Sequence, residues 1–485
     1  MLVYSSCSAC KSRICECRIL KNESPDDDVI TTKERLLYSL FNGADYLIKN
    51  IVGKYMFFFY TTTFAINPLW LAFWQPALKI LDVVTDPLVG EWSDRTRTKM
   101  GRRRPWILVG SILLGIVFPL SWMPTVVMFW DPAPTVLSIF IYFMLFKFLY
   151  YVTHTIAVVP YYALGAELSN DYHERTKIVG WRHLVGLPMT VVATLPFVFA
   201  TNPELFDNEI EGVATVMAFV GLIIIVTGVC SALGTRERVE PDPRQPLPLK
   251  KALGITLRNR SFMFLVGTVF FYGIGQYFAV SFGAYLITYN IYDGDKAGFA
   301  TLLMSATAGG VVVSVGLNLL LRHLGKSFEK VFLLKTMMFL SLLAPLAALF
   351  AFQPGEPYWY FLFHMFALPI GNTAIELLPL SIVADVCDID EVESGRRREG
   401  AFVGVYNSAF KSGYMFAPAL SMVLLSLSGF DGQLSTQSEE TKALLQSFFV
   451  TGLTVTFACA FLFSRGVKLS LQDVEIAQLK LRQSD

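Results

Sequence analysis

The run Gly212-Val-Ala-Thr-Val-Met-Ala-Phe-Val-Gly-Leu-Ile-Ile-Ile-Val-Thr-Gly-Val-Cys-Ser-Ala-Leu-Gly-Thr235 contains no Asp, Glu, Lys or Arg. An α-helix needs roughly 20 apolar residues to cross a bilayer. Residues 105–130, 184–203, 261–292, 297–321, 336–355 and 443–464 are charge-free in the same way, and 38–63, 68–92, 134–168, 357–386 and 401–427 are apolar with a few interior charges. These segments predict twelve membrane helices. No water reaches the hydrocarbon core to satisfy backbone groups, so a spanning segment is a helix or a strand of a closed barrel. Barrel strands are about 10 residues long and alternate in polarity. The runs here are too long and too uniform for that, and the class is all-α.

Composition agrees. The 485 residues are 54% hydrophobic and 16% charged, against roughly 25% charged for a soluble domain. A formal net charge of +1 gives no general attraction to nucleic acid, and 40 Phe rule out a disordered chain. Seven cysteines are too scattered for a disulfide scaffold; Cys7, Cys10, Cys15 and Cys17 cluster near the start without the spacing of a standard metal site.

Basic residues fall on alternate loops. Arg95, Arg97, Lys99, Arg102, Arg103 and Arg104 follow the second segment, Arg322, His323, Lys326 and Lys330 the eighth, and Arg396, Arg397 and Arg398 the tenth, whereas the loop between the fifth and sixth carries Glu204, Asp207, Glu209 and Glu211. The positive-inside rule then puts both termini in the cytoplasm. No signal-peptide core precedes the first segment, which is expected to direct insertion itself. A charged stretch with Pro241, Pro243, Pro246 and Pro248 divides the chain near its midpoint. The expected organisation is a tail (1–33), a six-helix bundle (34–234), a linker (235–256), a second six-helix bundle (257–464) and a tail (465–485). A glycine followed by a basic, glycine-containing loop recurs at 90–104 and 316–330, as in transporters built from internal repeats with a site at the midplane.

An ionisable side chain at the bilayer centre costs about 2.5–3.5 kcal/mol on insertion scales and needs a partner or a cavity. Lys79, Asp82 and Asp86 share one face of the second segment. The two carboxylates repel unless a proton or a hard cation lies between them, with Thr85 and Thr155 as neutral oxygen ligands; alternatively Lys79 pairs with Asp82 and fixes packing. Asp45 and Lys49 stand four apart and can pair with each other. Further midplane candidates are Lys147, His154, Glu167, Glu376, Asp385 and Lys411, the last with no carboxylate within a helical turn. The sequence carries no enzyme motif: Gly325-Lys326-Ser327 lacks the leading glycine of a phosphate loop, and neither a Gly-x-Ser-x-Gly nor a His-Glu-x-x-His occurs.

Gly90-Glu-Trp-Ser-Asp94-Arg95 followed by Gly101-Arg102-Arg103-Arg104 resembles the loop signature of the major facilitator superfamily. The resemblance implies two pseudo-symmetric six-helix bundles, with Gly90, Asp94, Arg95, Gly101, Arg102 and Arg103 in conformational gating. Within that superfamily the chain is similar to the glycoside-pentoside-hexuronide:cation symporters, the melibiose permease-like family. The similarity rests on Asp82-x-x-Thr85-Asp86-Pro87 with Pro105-Trp106, on Pro160-Tyr161-Tyr162-Ala163-Leu164 with Asp171-Tyr172-His173-Glu174-Arg175, on Ala384-Asp385-Val386-Cys387-Asp388-Ile389-Asp390-Glu391, and on Lys411-Ser412-Gly413. It implies that Asp82, Thr85, Asp86 and Thr155 bind the coupling cation, with the two aspartates as ligands if the ion is sodium rather than a proton. It implies a substrate site at Asp45, Tyr162, Arg182 and Lys411. The family's sugar-gripping aspartate falls on Val158, and its first-helix aspartate on Asp45 or Tyr46. The expectation is a monomeric, multi-pass transporter of a plasma or inner membrane that needs no cofactor. It would carry a small solute, a sugar or glycoside, together with Na+ or H+ by alternating access. A carrier of an amphiphile such as a lysolipid and a non-transporting solute sensor are the alternatives.

Overall fold

The computed structural model describes residues 30–128, 134–169, 172–238, 257–394 and 399–484. Outside the described residues lie the N-terminal cysteine cluster, the proline-rich part of the linker, Asp171 and Arg396 to Arg398, as do the side chains of Lys79, Asp82, Tyr172, His173 and Arg175.

The first half comprises α1 (Thr32–Ile51, continued by a π-helical turn Val52–Met56 into Phe57–Thr63), α2 (Pro68–Arg95), α3 (Arg104–Leu120), α4 (Val136–Glu167), α5 (Tyr172–Gly186, Met189–Val192 and Leu195–Ala200) and α6 (Glu209–Gly234). The second comprises α7 (Arg260–Leu286 with a π-helical turn Ile287–Ile291), α8 (Lys296–Leu324), α9 (Lys330–Ser341 and Leu343–Ala351), α10 (Pro357–Leu362, a π-helical turn Phe363–Ala367, and Leu368–Ser394), α11 (Glu399–Leu427) and α12 (Glu439–Gly466). A further helix, α13 (Leu471–Ser484), follows.

Local chemistry sets these limits. Thr31, Asn67, Thr135, Asn208, Asn259, Asp295 and Ser438 each cap a helix by accepting a backbone N–H in its first turn. Pro188 and Pro345 cannot donate to the carbonyl four residues back, and α5 and α9 break just before them. Among the described residues nine stretches are long and apolar enough to cross a membrane. The exceptions have plain causes: α1 and α2 carry the interior charges, and α3 ends at Leu120 after 17 residues. The charge-free run continues to residue 130, but Pro124 disfavours helical backbone at Met123.

Within the first half α3 packs on α4 and α6, and α1 on α5 and α6; in the second, α7 packs on α11 and α12, and α10 on α8 and α9. Gly110 lets α3 press against α4, since a Cβ there would lie 2.6 Å from the Ala157 nitrogen. The halves meet through α2 with α11, α5 with α8 and α1 with α7. The loops at 96–103, 235–238 and 325–329 define a basic face. Toward the opposite face the halves are tied together: the hydroxyls of Thr61 and Tyr285 are 2.6 Å apart, and Lys296 donates to Glu209 at 2.6 Å and to Thr63 at 3.1 Å.

Candidate functional site: two polar clusters on the fourth helix

Asp45 and Lys49 lie one turn apart on α1, and His154 and Tyr162 lie two turns apart on one face of α4. Packing brings the two faces together. The Asp45 carboxylate accepts from Lys49 Nζ at 2.6 Å and Tyr162 Oη at 2.7 Å, and faces His154 Nε2 at 2.9 Å. With Asp45 ionised, Nε2 carries the proton. The Asp45 side chain is 0% exposed, while Lys49 is 40% exposed. Removing a charge from water is costly unless partners satisfy it, and three donors do so here.

Arg182 of α5 adjoins this cluster. Its Nε donates to Asn42 Oδ1 at 3.2 Å, and its guanidinium lies 4.5 Å from the Tyr162 ring centre and 5.9 Å from that of Tyr161, within cation–π range. Asn42 returns a bond from Nδ2 to the Arg182 carbonyl at 3.0 Å, which fixes α1 on α5. Tyr161 stacks on Tyr38 with ring centres 4.5 Å apart. Asp45, Tyr162 and Arg182, three of the four residues that the family resemblance groups as a substrate site, form one constellation, and Lys411 stands apart from it beside Asp86. Asn42 went unread because nothing in its local sequence marks it.

The second cluster begins at Thr155, next to His154 in sequence but turned about 100° around α4. Thr155 Oγ1 donates to Asp86 Oδ1 at 3.1 Å, and Lys411 of α11 lies 3.4 Å from Asp86 Oδ2. Thr85 precedes Asp86 on α2 and is half-buried. The Lys411 side chain is 73% exposed and that of Asp86 33%, and the two helices that carry them, α2 and α11, are where the halves meet. The sequence offers Lys411 no carboxylate within a helical turn; in the fold its carboxylate is Asp86 of α2. These oxygens suit a proton or a hard cation.

The remaining candidates lie elsewhere. Glu167 ends α4 at the basic face and is not a midplane group. It binds Arg102 at 2.9 Å and Arg103 at 3.2 Å, and Arg103 also pairs with Asp94. Arg103 Nη1 reaches Ser93 Oγ at 2.6 Å and the Gly90 carbonyl at 3.4 Å, while Arg95 pairs with Glu91. Gly101 has φ +104°, and a Cβ there would strike the Glu237 carboxylate 2.6 Å away, so glycine is required twice over. Glu237, which no motif marks, accepts the backbone N–H groups of Arg102 at 2.9 Å, Arg103 at 2.8 Å and Arg104 at 3.2 Å. A carboxylate there meets the orphan donors and positive dipole end of α3. Asp385 takes Lys330 Nζ at 2.7 Å near the basic face. Lys147 is fully buried, 3.0 Å from the Met56 sulfur and 5.1 Å from the Tyr150 ring centre. Val158 is packed in the core.

Two six-helix halves that bring intramembrane polar clusters together define a membrane transporter of the major facilitator fold. The pattern of the MFS/sugar transport protein family matches residues 39–470, and the chain belongs to that family: it is a transport protein and not an enzyme. It is 25% identical over 443 residues to the inner membrane symporter YicJ of Escherichia coli, covering 90% of this chain and 91% of that protein. It is 25% identical over 456 residues to the putative glycoside/cation symporter YagG of the same organism, covering 93% and 95%. Among solved structures, a bacterial homologue of the human lysosomal transporter Spinster, inward-facing and unoccupied, superposes with a TM-score of 0.65 at 17% identity over 91% of this chain and 97% of that one; this likeness concerns the fold alone.

Proposed function

We propose that the protein is a cation-coupled symporter for a glycoside or related sugar, working by alternating access between its two halves. The observation that carries this reading is the adjacency of the two clusters on α4. Thr155 belongs to the Asp86 cluster and His154 to the Asp45 cluster, so a change at one is felt at the other through a single peptide bond on a rigid helix. The coupling cation is Na+ or H+ and binds at Asp86 with Thr155, Thr85 and Asp82. With no cation bound, Lys411 supplies the counter-charge; an arriving cation displaces it, and it can then meet the substrate. Tyr162 offers a ring face to the sugar, Arg182 and Lys49 donate to its oxygens, and Asp45 holds Lys49 and Tyr162 in place.

The working unit is a monomer in a plasma or inner membrane, with the basic face and both termini in the cytoplasm. On that orientation the described arrangement is closed to the outside, and the lock of exposed Asp94 with the enclosed Arg103 and Glu167 belongs to the gating loop. An amphiphile carrier loses its main support, because Val158, the residue that suggested an apolar cavity, is buried in the core. Each inward elementary charge gains about 2.3 kcal/mol per 100 mV, enough to concentrate a neutral solute roughly fifty-fold. The test is uptake of methyl and nitrophenyl glycosides into proteoliposomes under an imposed sodium gradient, a proton gradient or neither. Accumulation with one gradient only identifies the ion, and no gradient-dependent accumulation rejects the symporter. Cysteines introduced at Thr98 and Glu209, labelled from outside intact cells, check orientation: labelling at Thr98 alone would reverse it.

A further inference from the structure

The loop between α11 and α12, residues 428–438, is held from within. Gln437 accepts the Asp431 N–H at 3.1 Å and donates back to the Asp431 carbonyl at 2.8 Å, while the Asp431 carboxylate takes the Gln433 N–H at 2.9 Å. Side-chain clasps of this kind replace the missing helical bonds and fix the backbone of a turn. The loop also rests on its own half. Gly294, in the turn between α7 and α8, has φ +102°, and a Cβ there would overlap the Ser435 carbonyl oxygen. The Phe430 ring stands edge-on to Tyr285 and Tyr289 of α7, with centres 5.4 and 5.2 Å away.

The tip of the loop reaches the other half. Gly432 lies on the end of α1 so closely that a Cβ would overlap the Thr61 carbonyl oxygen and lie 3.2 Å from Ala65 Cα. Glycine is the residue that permits two backbones to approach in this way. Thr61 meets the second half a second time. Its Oγ1 donates to the Phe57 carbonyl at 2.8 Å, so it is the acceptor of the Tyr285 hydroxyl at 2.6 Å. The Tyr285 ring in turn packs on Phe58 of α1, 5.3 Å between centres. Phe430, Tyr285 and Phe58 thus make an aromatic column that runs from the loop of one half into the first helix of the other, beside the Lys296, Glu209 and Thr63 tie.

We propose that the 428–438 loop is a lid that seals the face opposite the basic loops, and that Gly432 on the Thr61 carbonyl is the seat on which it closes. Tyr285 and Lys296 supply the attraction between the halves, and the bare glycine lets them come near enough for both ties to form. A methyl group at the seat holds the lid off and weakens the ties together, because packed interfaces pass between discrete arrangements rather than deform continuously. That the lid lifts during turnover rests on the alternating-access reading; that it is seated here rests on the contacts alone.

The test uses the full-length protein in detergent, with its seven native cysteines replaced by serine and spin labels on cysteines introduced at the exposed Glu204 of the first half and Leu434 of the lid. The unaltered seat should give one short distance between the labels. Gly432→Ala is expected to add a second, longer population, and Gly432→Val to make it the larger one. Tyr285→Phe and Lys296→Met remove a tie without inserting a wedge, and each should shift the distances in the same direction by less. A single short distance in both Gly432→Ala and Lys296→Met would overturn the lid. So would a longer population in Gly432→Ala with gradient-driven glycoside accumulation in proteoliposomes unchanged, since the closure would then play no part in transport. If the unaltered protein accumulates no glycoside while Gly432→Ala still lengthens the distance, the symporter reading fails and the seal stands.

Discussion

Arg103 at the start of α3 and Lys330 at the start of α9 hold corresponding places in the two halves, and each reaches an acid toward the basic end of the next helix, Glu167 or Asp385. The fastenings differ in kind. Arg103 is 7% exposed and binds Glu167, Asp94, Ser93 and the Gly90 carbonyl; Lys330 is 42% exposed, and its ion pair is with Asp385. A planar guanidinium with five donors can hold a buried network, whereas an ammonium acts as a point charge. The same contrast runs between the polar clusters, where Asp45 of the first half is enclosed by donors and Lys411 of the second is 73% exposed. The first half is the rigid platform that fixes the clusters, and the second presents more exposed charges that can change partners as the halves move.

The sharpest challenge to this contrast is Asp86→Asn, which should abolish cation-driven accumulation in proteoliposomes while leaving insertion and thermal unfolding near those of the unaltered protein. Wild-type accumulation would show that the second cluster takes no part in coupling. Next in size, Glu167→Gln removes the shared acid of two nearly buried arginines and should cost about 3–5 kcal/mol of stability, read as early unfolding of detergent-purified protein. Tyr162→Phe removes a hydrogen bond to an ionised, buried Asp45, worth roughly 1.5–3 kcal/mol. It should weaken glycoside binding about tenfold or more and leave cation affinity unaltered; equal affinity would confine Asp45 and Tyr162 to a packing role. Lys330→Met should have the smallest effect, about 1 kcal/mol or less, because a half-exposed pair gains little over water. A loss from Lys330→Met as large as that from Glu167→Gln would erase the distinction between the halves.

Parts of the site were legible because they are local. The one-face spacing of Asp45 and Lys49 announced their pairing, and the Asp94, Gly101, Arg102 and Arg103 pattern announced a lock. Lys411 was legible as a charge that needed a partner, though not as a neighbour of Asp86, which stands 325 residues away in sequence. Asn42 and Glu237 bear on the site through contacts more than 130 residues apart, and no periodicity encodes such meetings. Glu167 was misread as a midplane group because the end of an apolar run does not tell how far a helix projects beyond the lipid.

Length and apolarity alone determined that this chain forms helices in a membrane, since every unpaired backbone group there carries a cost that only a closed hydrogen-bond pattern removes. The alternation of basic loops predicts a common orientation for the halves. Which charges meet was decided by tertiary packing. His154 and Thr155 are adjacent in sequence, yet the 100° turn between them on α4 sends one to α1 and the other to α2. The chain order lists the ionisable groups; the crossing of α1, α2, α4 and α11 pairs them, because a charge in a low-dielectric interior is held by its nearest neighbour in space.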